Sequence, residues 1–222
     1  MEFKSDSYDS CNDKKGAIIM TSKSHYYLGL YLSDMIFEDL NDMERAAFLY
    51  GCVEPDLNPG TYLKGTLCGQ QKFRGHNYPN MLPCVEHLFD RLQNTKHVGI
   101  RYYYRMGKLA HYMTDAFTYP HNQTFHGTLK EHVQYEAAME PVFLQTLQER
   151  RDTEVTAGEW DGYDFFRKSH ERYLMESRGV HGDITGTLRV VPHVLAVIHY
   201  EAMCHVTFGG DQEVRYENIA HI

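Results

Sequence analysis

Five side chains of metal-binding type stand at helical spacings between His111 and Glu136, and they constrain the fold more than any other feature of the sequence. The run His111-Tyr-Met-Thr-Asp115-Ala-Phe-Thr-Tyr-Pro120-His121 places a histidine and an aspartate four residues apart. On a helix both leave the same face, one turn apart. Pro120 then breaks that helix and lets His121 fold back beside them. Eleven residues further on, His132-Val-Gln-Tyr-Glu136 repeats the four-residue pairing, which calls for a second helix facing the first. A neutral imidazole and a carboxylate at this spacing form a two-donor platform for Zn²⁺. A single His-x-x-x-Asp pair is more often a surface ion pair; the joint pattern points to a metal cluster.

The remaining chain is patterned to surround such a cluster with helices. Tyr27, Leu28, Leu30, Tyr31, Leu32, Met35, Ile36 and Leu40 recur at three- and four-residue steps from Ser24 onward, the signature of an amphipathic helix. Further helices are expected over 43–52, closed by Pro55, and over 81–92, 98–117, 128–150, 163–177 and 187–207. Residues 57–80 carry Pro59, Gly60, Gly65, Gly69, Gly75 and Pro79 and read as a long irregular loop, which in a compact domain is usually functional or disordered. Residues 151–162, with the sole tryptophan Trp160, form a polar connector. No strand alternation and no internal repeat is evident. The expectation is an all-α protein: a flexible extension over residues 1–20, then one multi-helix domain around a zinc cluster over 21–222.

Composition narrows the partners. The net charge is −8 with histidines neutral, which disfavours a general nucleic-acid coat, since that needs a basic face. It suits a protein that gathers cations, because carboxylate ligands count as surplus charge until metal arrives. Fourteen histidines in 222 residues raise the expectation of a metal site further. The five cysteines are widely spaced and contain no C-x-x-C pair, so neither a disulfide framework nor a thiolate zinc site is expected. Residues 1–16 lack the apolar core of a signal peptide, and no segment reaches the roughly 20 apolar residues of a membrane span. A cytoplasmic location is expected, or a secreted one if a leader was removed.

The stretch from His111 to Glu136 resembles the signature of bacterial zinc-dependent phospholipases C, which are related to the S1/P1 nucleases. That signature reads His-Tyr-x-[Gly/Thr]-Asp, a histidine beside proline six residues on, then His-x-x-x-Glu. Upstream, Ser24-His25-Tyr26-Tyr27 is similar to the family's early histidine. Gly51-Cys-Val-Glu-Pro55-Asp56 is similar to its Pro-Asp step after a helix, and His76 to the histidine that follows.

Carried over position by position, the resemblance implies that His76, His111, Asp115 and Asp56 hold one ion. His121, His132 and Glu136 would hold a second. His25, with Asp115 bridging, would help hold a third, for which secreted members also use a terminal tryptophan that has no counterpart here. Two or three Zn²⁺ per chain are therefore expected. Asp56 would also position or deprotonate the attacking water. The implied activity is hydrolysis of a phosphoester, phospholipid among the candidates, by a metal-bound hydroxide. Phe73 matches one aromatic residue of the headgroup pocket, whereas Leu57 stands where a tyrosine would be wanted. Two alternatives accompany this reading: an S1/P1-type nuclease, whose members usually carry Asp at the place of Glu136, and a non-catalytic domain that keeps zinc for structure and binds or regulates. His126, His193, His199 and His205 are expected outside the metal shell, and Tyr102-Tyr103-Tyr104-Arg105 is expected to pack helices together.

Overall fold

The computed structural model of the chain describes residues 13–37, 39–58, 60–61, 77–150, 162–176 and 179–208. Among these residues the protein is all-α, with seven α-helices and no strand. We number them α1 (Asp13–Ile36), α2 (Asp42–Leu57), α3 (Tyr78–Gln93), α4 (Ile100–Ala116), α5 (Leu129–Glu149), α6 (Tyr163–Glu176) and α7 (Gly179–Phe208). A single 3-10 turn, Tyr119–His121, lies between α4 and α5.

The helices start where local chemistry favours it. Asn41 caps α2 by accepting from the N–H groups of Met43 and Glu44, and Glu44 reaches back to the Asn41 N–H. Thr128 and Glu131 form the same reciprocal cap on α5. Each box satisfies backbone donors that the first helical turn leaves without partners. Pro79 occupies the first turn of α3, where the missing N–H costs nothing.

Helix α4 is the axis of the molecule. Twelve of its residues are buried, from Tyr102 to Ala116, and α2, α3, α1 and α7 all pack against it. Its closest neighbour is α2, and two glycines explain how near the two backbones come. A Cβ on Gly107 would lie 2.1 Å from the Phe48 carbonyl oxygen, and one on Gly51 would lie 2.3 Å from that of Tyr104. No side chain fits at either position. On the other side, α7 contributes a buried apolar run from Ile184 through Val191, Val194 and Leu195 to Ala202. One hydrophobic core thereby extends from Leu28 on α1 to Ala202 on α7.

The expected helices are present, with informative differences at their ends. Helix α1 begins at Asp13, well before Ser24, so helix reaches into the stretch read as an extension. Helix α7 begins at Gly179, not near Thr187. Helix α2 runs through Pro55 to Leu57 and is not closed by that proline. Pro55 cannot donate to the Gly51 carbonyl one turn back, but the helix is held from outside by its packing on α4, and Asp56 therefore sits inside a helix instead of after one. Most of the long loop and the connector with Trp160 lie outside the described residues. No described helix is long and apolar enough to cross a membrane.

Candidate metal centre

Five elements deliver seven nitrogen- or oxygen-bearing side chains to one region between α1, α2, α4 and α5. His25 comes from α1, Asp56 from α2, and His111 and Asp115 from α4. His121 comes from the 3-10 turn, and His132 and Glu136 from α5. His25, Asp56, His111, Asp115 and His121 are each at most 7 % exposed, which is exceptional for ionisable residues unless they are paired or bind metal.

Asp115 stands at the centre. Its Oδ1 lies 3.2 Å from His25 Nε2 and 3.8 Å from His121 Nε2, and its Oδ2 lies 3.2 Å from His111 Nε2. Asp56 Oδ1 approaches the same His111 nitrogen at 3.7 Å. The rings of His25 and His111 lie 4.0 Å apart between centroids, 31° from parallel. A second group forms around Glu136, whose Oε1 is 3.0 Å from His121 Nε2 and 2.9 Å from His132 Nε2. The structure thus brings together two sets, His25–His111–Asp115 and His121–His132–Glu136. Within each, one ligand atom per residue lies within 4.8 Å of the others. His76 and Phe73, also expected at the site, lie outside the described residues.

The hydrogen bonding fixes how these side chains face the site. His111 Nδ1 lies 2.9 Å from the Cys52 carbonyl oxygen. A carbonyl can only accept, so Nδ1 carries the proton and, in the neutral ring, Nε2 presents a lone pair. Burial, then the neighbouring His25, pushes the His111 imidazole below its ordinary value, against the carboxylates of Asp115 and Asp56. The result is a lone pair aimed at two carboxylates, an arrangement that repels unless a cation lies between them. Contact of one ring nitrogen with a backbone carbonyl while the other faces a metal is the usual way a ligating histidine is oriented. His25 Nδ1, buried on the far side of its ring, has no hydrogen-bond partner among the described residues.

Charge at the site is polarised. Burial alone would raise the Asp115 carboxyl, yet the charge of His121 and a hydrogen bond from His25 hold it well below the carboxylate range. Glu136 is likewise lowered, with burial opposed by hydrogen bonds from His121 and His132. Both carboxylates are thus ionised at neutral pH, as metal ligands must be. The donor set of imidazole and carboxylate matches what zinc takes. Tetrahedral coordination at about 2.0–2.1 Å sets ligand atoms about 3.4 Å apart, near the 2.9–3.2 Å separations seen within both groups.

Residues outside the expected ligand set hold the scaffold. Asn122 Nδ2 donates to the carbonyls of Ala116 and Thr118, both at 3.0 Å, closing the end of α4 where helical carbonyls lack partners. His170 Nε2 donates to Asn122 Oδ1 at 2.8 Å, and its ring stacks on Tyr78 at 3.6 Å. Asp183 accepts the Tyr119 N–H at the start of the His121 turn, 2.8 Å away. Ser22 Oγ reaches Asp56 Oδ2 at 3.5 Å. The contacts of His170, Asp183 and Ser22 carry no signal in sequence, because each partner comes from a distant element. Asn122 bonds to carbonyls only four and six residues back, but a backbone partner leaves no residue type to recognise. A small cavity lined by Ser24, His25, Thr118 and Met139 touches Asp115 and Glu136.

The other histidines lie where packing puts them. His193 is buried against Phe165, and the His199 ring meets Phe37, Tyr102 and Tyr103. His126 and His205 are exposed. Tyr102 and Tyr103 are buried in the core; both rings meet His199 on α7, and Tyr103 also meets Phe37 just after α1.

Searches of curated proteins and of solved structures return no match to this chain. The sequence profile of the zinc dependent phospholipase C family matches residues 24–179, a span that contains every residue of both groups and well over half of the chain. The chain belongs to the zinc-dependent phospholipase C family.

Proposed function

We propose that this protein is a zinc-dependent phosphoric ester hydrolase of the phospholipase C type, with a phosphodiester, a phospholipid among the candidates, as its substrate. The observation that carries the reading is the convergence of seven nitrogen and oxygen donors on two facing groups that meet at Asp115. A purely structural zinc site needs four ligands and is closed. This centre has more ionisable donors than one structural ion would use, and it includes Asp56, whose carboxylate stands 3.7 Å from His111.

In this reading His111, Asp115 and Asp56, with His25 and His76, hold one part of a cluster of two or three zinc ions. His121, His132 and Glu136 hold the other. When bound, zinc supplies a Lewis acid for the phosphoryl oxygens and lowers the pKa of water enough for attack near neutrality. The chain's own residues do the rest. Asp56 orients the attacking water and takes its proton at a carboxylate oxygen, and Ser22 Oγ steadies the second oxygen of that carboxylate. Asp115 spans the two groups and keeps them at a fixed separation. Glu136 sides with the phospholipase C relatives, since the S1/P1 nucleases usually have Asp at that place. Residues 21–222 act as one domain, because the core joins α1 to α7.

Hydrolysis of a chromogenic phosphodiester and of phospholipid vesicles, with and without chelator, tests the proposal. Turnover should vanish with chelator and return with added zinc. Asp56→Asn should keep the zinc held by His121, His132 and Glu136 and lose at least about 10²–10⁴-fold in rate, the range for a general base. Zinc-loaded protein with no turnover on either substrate would favour a binding or regulatory domain instead.

A further inference from the structure

We propose that Asp183 is a positioning residue for the ion held by His121, His132 and Glu136, acting from α7, outside the stretch that matches the family. This rests on the assignment of that trio as a metal group. Asp183 is 2 % exposed, and its two oxygens accept three hydrogen bonds, each 2.8 Å long. Oδ2 takes the Tyr119 N–H and the Tyr135 hydroxyl, and Oδ1 takes the Tyr173 hydroxyl. Tyr119 opens the turn that ends at His121, and Tyr135 directly precedes Glu136 on α5. One carboxylate oxygen therefore ties together the two backbone segments that carry two of the three donors.

Within the trio, the hydrogen bond that joins the turn to α5 is the contact of His121 with Glu136 itself, which a bound cation would replace; beside it the two segments meet through the rings of His121 and His132 and of Tyr119 and Tyr135. Asp183 keeps the two segments in register independently of that contact. Its negative charge also acts favourably on His121 and would do so on a cation held there. Carboxylates in this outer position orient ligands and tune the metal, and their loss typically weakens metal affinity about 10–100-fold.

A plain structural knot makes a different forecast. It treats the three hydrogen bonds alike, whereas positioning singles out the Oδ2 side. Zinc affinity of the full chain, measured by competition with a chromogenic chelator, separates the two, with the visible spectrum of the cobalt-substituted protein reporting ligand geometry. Asp183→Asn and Tyr135→Phe should each weaken one class of ion about 10–100-fold and alter the cobalt spectrum. Tyr173→Phe, which removes only the Oδ1 donor, should leave that affinity within about 3-fold. Tyr135→Phe keeps the test open if Asp183→Asn fails to fold. Folded Tyr135→Phe with unchanged affinity, or equal losses in Tyr135→Phe and Tyr173→Phe, would overturn the proposal. If His132→Ala leaves the zinc stoichiometry of the wild type unchanged, the trio is not a metal group, and the inference falls with that assignment and not on its own account.

Discussion

Asp115 illustrates how much one side chain can carry. Its carboxylate meets His25 and His121 through one oxygen and His111 through the other, so three histidines from three elements share a single buried anion. The other consequential residue of this region, His170, titrates away from its ordinary value. Burial lowers its imidazole to about 4, against a backbone hydrogen bond to Ala116 that acts in the opposite direction. Above pH 6.5 the ring is neutral whether the chain is folded or not, and it adds no pH dependence. As the pH falls below 6.5, the unfolded chain takes up a proton that the folded chain refuses. Stability should then drop by up to about 1.4 kcal/mol per pH unit until about pH 4. Denaturant unfolding of the wild type and His170→Gln between pH 7 and 4.5 checks this. The wild type should lose stability more steeply than the variant; parallel curves would show that His170 is not buried in its neutral form.

At the scale of elements, the crossing of α2 and α4 sets the site, because it brings the Cys52 carbonyl to His111 Nδ1 and Asp56 to His111 Nε2. The crossing depends on Gly51 and Gly107. Gly107→Ala would press a methyl group into the Phe48 carbonyl. The favourable helix propensity of alanine, about 1 kcal/mol over glycine, should be outweighed by overpacking against backbone, which costs about 1–3 kcal/mol or more. Thermal unfolding should show a net loss of stability, and zinc affinity should fall with it, since the Cys52–His111 contact opens. A variant as stable as the wild type would contradict so close a crossing. The sequence made the pairs His111/Asp115 and His132/Glu136 legible because a helix converts a four-residue offset into neighbouring side chains. It also carried the periodicity of most helices. It did not reveal that α2 continues through Pro55, since that depends on packing against α4, nor the roles of His170 and Asp183, whose partners are remote in the chain.

For the molecule as a whole, α4 binds the hydrophobic core and the candidate centre into one structure. Its inner face carries Met106, Leu109 and Met113 into the core, and the same helix presents His111 and Asp115 to the site. Ions held there would join α1, α2, α4 and α5, so metal and fold should be coupled, with bound metal adding to stability in proportion to its affinity. The excess of acidic residues, −8 overall, is consistent with a chain that gains cations on folding. The most direct test of the central claim is the metal content of the purified full chain, measured by elemental analysis alongside the variants His111→Ala and His132→Ala. The account predicts two or three zinc ions per wild-type chain, with each variant losing at least one. A wild-type chain that binds no transition metal, even when zinc is supplied, would contradict it.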